Sequence, residues 1–301
     1  MKKLMTLISI LTLLILLSLY IHMIEGSNSA QASDDLLEVE KILGAAGQMQ
    51  EGAFIVRFPR SDIKVTIDGE PMPTALGFSS WMAWKSMDTE TMVMGDFVLL
   101  EKEINPVISA LTEADIHVTA LHNHFVGEQP RVMFMHIHGM GHAKALAQGV
   151  RNALDKTVTP KPSPSSGITQ SVLALDTKHI EQIMGYQGQV GGGVFKITVG
   201  RPGVKTDGVE ATSSMGLNSW AAFVGTNERA HVAGDAAMTA TEVNKVVRAL
   251  RAGGIDVVAV HNHMLDEEPR IFFLHYWGTG PIDKLAQTVR AAFDQAKGPV
   301  R

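Results

Sequence analysis

The feature that most constrains this chain is that it is written twice. "ILGAAGQMQEGAF" (Ile42 to Phe54) matches "IMGYQGQVGGGVF" (Ile183 to Phe195), 141 residues further on. From Asp68-Gly69 and Asp207-Gly208 onward the spacing is 139, so the second copy is two residues shorter. The frame then holds. Ser80-Trp81 meets Ser219-Trp220, Gly95-Asp96 meets Gly234-Asp235, and Glu103 and Asn105 meet Glu242 and Asn244. His122-Asn123-His124 meets His261-Asn262-His263, Pro130-Arg131 meets Pro269-Arg270, and His136 meets His275. A self-match this dense means duplication, and each copy must build the same unit. The units are expected over 36–156 and 177–297, joined by a Pro/Ser-rich linker at 157–176 that contains "TVTPKPSPSSGITQ" and cannot form a core.

Local pattern sets the fold class. "AFIVRF" and "GVFKITVG", rich in Val, Ile and Phe and bounded by Gly and Pro, read as strands. "GFSSWMAWKS" and "TMVMGDFVLL" read as the next pair, with a turn at Asp88 to Glu90. "NPVISALTEA" and "ATEVNKVVRALRAGG" carry apolar residues at helical spacing, the second stopping at Gly253-Gly254. "IHVTALHNHF" and "RVMFMHIHG" are near-continuous apolar runs, as for strands buried on both faces. A last helix follows in each copy. The expectation is α+β: two tandem homologous units, each a mainly antiparallel sheet with a β-α-β-β-α part, packed as a pseudo-twofold pair.

The start of the chain points out of the cytoplasm. Lys2 and Lys3 precede a charge-free run at residues 4–21, and Ala30-Gln31-Ala32 fits the small-residue cleavage pattern. Residues 1–32 read as a signal peptide, with an N-terminal membrane anchor as the alternative because the run reaches the lower length limit of a spanning helix. The chain has no cysteine, which removes disulfides, thiolate metal sites and lipidated-cysteine anchoring. A net charge of −5 makes nucleic acid a poor partner.

A leading signal, two related units and paired "HNH…EPR…H" segments together resemble the LppY/LpqO-like family of exported bacterial proteins, over about Leu36 to Ala296. The resemblance implies export from a bacterial cell. It supplies no reaction, cofactor or active residue.

The chemistry lies in the histidines. Of 12 in the chain, His122, His124, His136, His138 and His142 fall in one short span. Positions i and i+2 of a strand share a face, so His122 pairs with His124 and His136 with His138. His142, past a Gly-Met-Gly turn, is placed to reach the same end of the sheet. Such a nitrogen set suits a divalent transition metal, zinc or copper, with Asp96, Glu103 or Glu128 as further ligands and Asp96 or Glu128 as candidate catalytic acid or base. Register decides whether the pairs meet. If facing residue numbers add to 254 or 256, all four imidazoles share a face, and if to 255 they do not. Apolar alternation favours the shared face, but the two pairs remain offset, so a single site needs a bend, a bulge or a third strand.

In the second copy His261, His263 and His275 remain, while His138 becomes Trp277, His142 becomes Pro281 and His117 becomes Asp256. The first copy is therefore expected to hold the fuller pocket and the second a weaker one, with Tyr276-Trp277-Gly278 suited to stacking on a sugar or other ring. Two functions follow: an extracytoplasmic metal-binding protein, in its stronger form a metal-dependent hydrolase, or a non-catalytic envelope-associated or glycan-binding module with structural histidines.

Overall fold

A computed structural model describes residues 34–87, 90–160 and 173–296. The expected signal or anchor, most of the Pro/Ser linker and the centre of the turn at Asp88 lie outside these residues. Each half begins with a short helix, α1 over residues 34–43 and α4 at Thr177–Met184. The first half continues through β1 (Gly47–Gln50), β2 (Ala53–Pro59), a small hairpin of β3 (Thr66–Ile67) and β4 (Glu70–Pro71), β5 (Ser79–Ser86), β6 (Thr91–Leu100), α2 (Ile104–Glu113), β7 (His117–His122), β8 (Val132–Gly141) and α3 (Ala143–Leu154). The second repeats this order: β9 (Gly188–Gly191), β10 (Val194–Gly200), β11 (Lys205–Thr206), β12 (Val209–Glu210), β13 (Asn218–Gly225), β14 (Ala230–Met238), α5 (Ala240–Ala252), β15 (Asp256–His261), β16 (Phe272–Gly280) and α6 (Ile282–Gln295).

Each half forms a six-stranded antiparallel sheet, in the orders β1-β2-β5-β6-β8-β7 and β9-β10-β13-β14-β16-β15. The fold is the expected α+β duplication, with the β-α-β-β-α part running from β6 to α3. Helix-side packing follows from alternation along the strands. Met135 and Ile137 of β8 join Trp84, Val93 and Phe97 against Leu146 and Val150 of α3. α5 starts at a capping box, the Glu242 carboxylate accepting from the Thr239 amide at 2.7 Å.

The opposite face of each sheet is covered by the other half. Ala53, Ile55, Ala83, Met92 and Met94 of the first sheet pack with Val204, Met215, Leu217 and Met264 of the second half. Reciprocally, Val194, Ala222, Ala233 and Trp277 pack with Val65, Leu76, Phe78 and Phe125 of the first. Fully burying one such side chain stabilises by ~1.5–3 kcal/mol, so each half owes a core layer to its mate. Polar ties follow the same exchange. Thr119 Oγ1 donates to the His263 carbonyl at 2.6 Å, and Asn262 Nδ2 donates to the Thr119 carbonyl at 2.8 Å.

Two details correct the sequence reading. β8 is buried on both faces, but β7 is the edge of its sheet and Leu121 is exposed. Glu103 holds no site. It is buried against the Arg60 guanidinium through bonds of 2.8 and 3.1 Å, and its copy Glu242 takes Arg201 at 2.9 Å.

Candidate metal centre

Register builds the site. In β7 and β8, His117 opposes His138 and Val118 opposes Ile137; after a bulge at Thr119, Ala120 opposes His136 and His122 opposes Phe134. The bulge moves the pairing by one residue and puts His122 on the same face as His136. β15 and β16 carry the matching bulge between Val257 and Ala259. The row extends across the sheet. His136 lies opposite Asp96, Asp96 opposite Trp81, and Trp81 opposite Arg57. In the second half the row is His275, Asp235, Trp220 and Thr198.

These two rows face each other across the pseudo-twofold axis, and six imidazoles from both halves merge into one cluster. The rings of His122 and His261 stack with centroids 3.7 Å apart. His124 lies 3.6 Å from His275, and its symmetry counterpart, His263 with His136, has 3.9 Å. The axis passes between His122 and His261. His122, His261 and His275 present ligand atoms within 4.8 Å of one another, and so do His136, His261 and His263.

The cluster is buried apart from a half-buried His261, and this burial favours neutral imidazoles. Burial, reinforced in most of them by neighbouring imidazoles, holds His122, His124, His136 and His261 well below the usual imidazole range. Burial brings His263 down to about 3 and His275 to about 4. Backbone carbonyls fix the tautomers. His275 Nδ1 lies 3.1 Å from the Gly234 carbonyl, His136 has the matching bond to Gly95, and His263 Nδ1 lies 3.2 Å from the Gly216 carbonyl. With Nδ1–H donated, Nε2 of each ring turns its lone pair into the cluster, the arrangement a metal-ligating histidine needs. Gly95 and Gly234 have no room for a side chain: a Cβ at either would run into the carbonyl of Trp81 or Trp220.

Seven ring nitrogens, on His122, His124, His136, His261 and His275, are buried without a hydrogen-bond partner, as are Oδ1 of Asp96 and of Asp235. One unsatisfied buried polar group costs ~1–3 kcal/mol, so this set left bare would rival the whole stability of a domain, ~5–15 kcal/mol. Neutral imidazole nitrogens beside carboxylates are the donors preferred by zinc and copper, and the buried histidines can hold such an ion. Asp235 Oδ2 is 3.3 Å from His263 Nε2 and 3.9 Å from His275 Nε2, and Asp96 Oδ2 is 4.0 Å from His124 Nε2. Burial pushes both carboxyls up, Asp96 further because Asp235 adds like charge.

The remaining sequence candidates lie elsewhere. His138 is out of the cluster, its Nε2 3.0 Å from Asp207 Oδ2 of the other half. His142 is exposed as the N-cap residue of α3, because β8 runs on through Gly141 and carries it past the sheet end. Glu128 is a buried loop carboxylate that accepts from the Val132 amide at 3.4 Å, and its copy Glu267 accepts from Ile271 at 3.0 Å. Among the described residues, the trios that could hold an ion draw on both copies, so His261, His263 and His275 join His122, His124 and His136 in one cluster instead of forming a weaker second pocket. Tyr276 and Trp277 are core aromatics, Tyr276 donating to the Trp220 carbonyl at 3.0 Å and Trp277 packing edge-on to Phe125.

A cleft of about 1450 Å³ between the halves reaches this centre. Asp96, Asp235, His124, His136, His263 and His275 line its deep end, and Trp81, Trp220, Arg57 and Lys196 line its walls. Sequence reasoning passed over Trp81 and Trp220, although their identity in both copies was an available signal.

The family described as Domain of Unknown Function (DUF1259) matches the chain twice, over 37–156 and 178–295. No curated protein matches the chain. Among solved structures, the trimeric bacterial microcompartment shell protein PduB is similar at 13% identity and a TM-score of 0.22, covering 84% of this chain and 90% of its own. EtuB from Clostridium kluyveri is similar at 11% identity and a TM-score of 0.19, covering 83% and 89%. At these TM-scores the likeness carries no argument about this chain.

Proposed function

Since the chain belongs to the family described as Domain of Unknown Function (DUF1259), whose description names no activity, we propose a function from the site itself: a two-repeat protein that holds a zinc or copper ion in a six-histidine centre at the interface of its halves. The observation that carries this reading is the set of buried ring nitrogens without partners, grouped in trios drawn from both halves. The reading extends to metal-assisted hydrolysis. The cleft gives a ligand access to the centre, and Asp96 and Asp235 stand beside the imidazoles as acid and base. Trp81 and Trp220 in the walls favour a second reading, in which the cleft holds a glycan of the cell envelope without reaction.

Export is part of the proposal, supported by the Lys2-Lys3 start, the apolar run and Ala30-Gln31-Ala32. N-terminal sequencing of exported protein is expected to begin near Ser33; recovery from membranes with residues 1–32 attached would mean an anchor instead. The metal reading is tested by elemental analysis of untagged protein after dialysis. Retained zinc or copper that disappears in the His122→Ala/His261→Ala variant, with the circular dichroism unchanged, is the expected result. Metal-free protein that also takes up neither ion from buffer would overturn it.

A further inference from the structure

We propose that the cleft binds a short acidic saccharide, with Arg57 and Lys196 holding its anionic group and Trp81 and Trp220 stacking on its rings. The inference names the ligand class of the cleft and needs the cleft, not the ion.

The first observation is a pair of cations that no carboxylate pairs directly. Arg57 on β2 and Lys196 on β10 both line the cleft, one from each half. Among the described residues neither makes an ion pair or hydrogen bond. Both side chains are solvent-exposed along their strands, yet the packing around the Lys196 ammonium and then the charge of Arg57 bring it down to about 8, against the opposing effect of Asp235. Two like charges exposed to one cleft are relieved by an anion placed between them, a carboxylate or a phosphate.

The second observation is the aromatic wall. Trp81 and Trp220 are half-buried, each one strand away from a cluster carboxylate. Each indole reaches over to a glycine of the opposite half. A Cβ at Gly216 would lie 3.0 Å from Trp81 Cη2, and one at Gly77 would lie 4.0 Å from Trp220 Cη2. Both glycines have positive φ, so these close approaches are built into the backbone. Lys196 Nζ sits 4.2 Å above the Trp220 ring, which joins the cationic and aromatic surfaces into one. The amides of Gln50, Gln187, Gln189 and Asn218 line the same cleft. Half-buried indoles in a cleft also lined by amides suit a ligand with apolar ring faces and a hydroxyl edge. The volume exceeds the ~300–1,000 Å³ of a drug-sized pocket, which leaves room for linked rings.

Titration of tryptophan fluorescence tests this, Trp84 and Trp277 being buried background. Trigalacturonate is compared with maltotriose, and glucose 6-phosphate with glucose, so that carboxylate and phosphate are read apart. At least one acidic member is expected to bind tenfold or more tighter than its neutral partner. Lys196→Met, a change on the cleft surface, is expected to reduce that preference at least threefold, and Arg57→Ala/Lys196→Met to remove it. Equal affinity for acidic and neutral members, tighter binding of AMP than of any saccharide, or no response to any probe would overturn the proposal. The titrations are run on metal-loaded and chelator-treated protein with metal content measured in parallel, so a failed ion reading and a failed ligand reading give different results.

Discussion

The imidazoles of His122 and His261 lie face to face, ring centroids 3.7 Å apart and planes inclined by 19°, where the edge strands of the two halves meet. Neither ring belongs to a site that its own half could complete. The first prediction follows directly. His261→Ala, which removes a member of both trios, is expected to lower metal content at least as much as His122→Ala, although the first copy carries more histidines. Titration of each variant with zinc reads this; a loss confined to the first-copy variant would contradict a shared centre.

Acid should unfold the protein early. His263 and His275 titrate at about 3 and about 4 in the folded chain, against 6.5 when unfolded. Above pH 6.5 both states carry them neutral, and nothing is lost. Between 6.5 and these folded values the unfolded chain binds protons the folded one refuses, so stability falls as pH falls through that window. Protons also compete with metal for the same nitrogens, in the same direction. Urea midpoints at pH 7.5, 6 and 5 are expected to decline steadily. A midpoint that holds or rises would show that the cluster is not buried in neutral form.

The buried pair Arg60–Glu103 should matter for stability alone. Arg60 is 0% exposed and keeps the Asp62 carboxylate at 2.9 Å, so Glu103→Gln removes one of two countercharges and is expected to cost ~1–3 kcal/mol. Urea unfolding reads the loss. Metal content of the still-folded variant should equal that of the parent, since Glu103 stands apart from the centre.

The halves should fail separately. Residues 34–160 produced alone would expose the face that Val204, Met215 and Leu217 cover, and would keep half of the imidazoles. That fragment is expected to bind a hydrophobic dye and to hold zinc far more weakly than the full chain. A compact, monomeric fragment with full zinc affinity would show that one copy makes its own site.

Much of this was legible because duplication repeats what matters. Trp81, Asp96, His122, His124 and His136 all recur at one spacing as Trp220, Asp235, His261, His263 and His275, and those ten residues form the centre and its cleft walls. Strand and helix positions followed from apolar period. What periodicity cannot carry is the bulge at Thr119, a one-residue event with no composition signal, or the packing of one copy's loops on the other copy's sheet. His138 and His142 show the consequence. Closeness in sequence suggested one pocket, yet the end of β8 carries them away, while residues about 139 positions distant supply the real neighbours.

The most direct test is anomalous diffraction at the zinc or copper edge from crystals of metal-loaded protein. The account predicts a peak roughly 2.0–2.1 Å from imidazole nitrogens, contributed by His261 together with His122 and His275, or with His136 and His263. A peak at His138 or His142 alone, or none in the cluster under saturating metal, would contradict it.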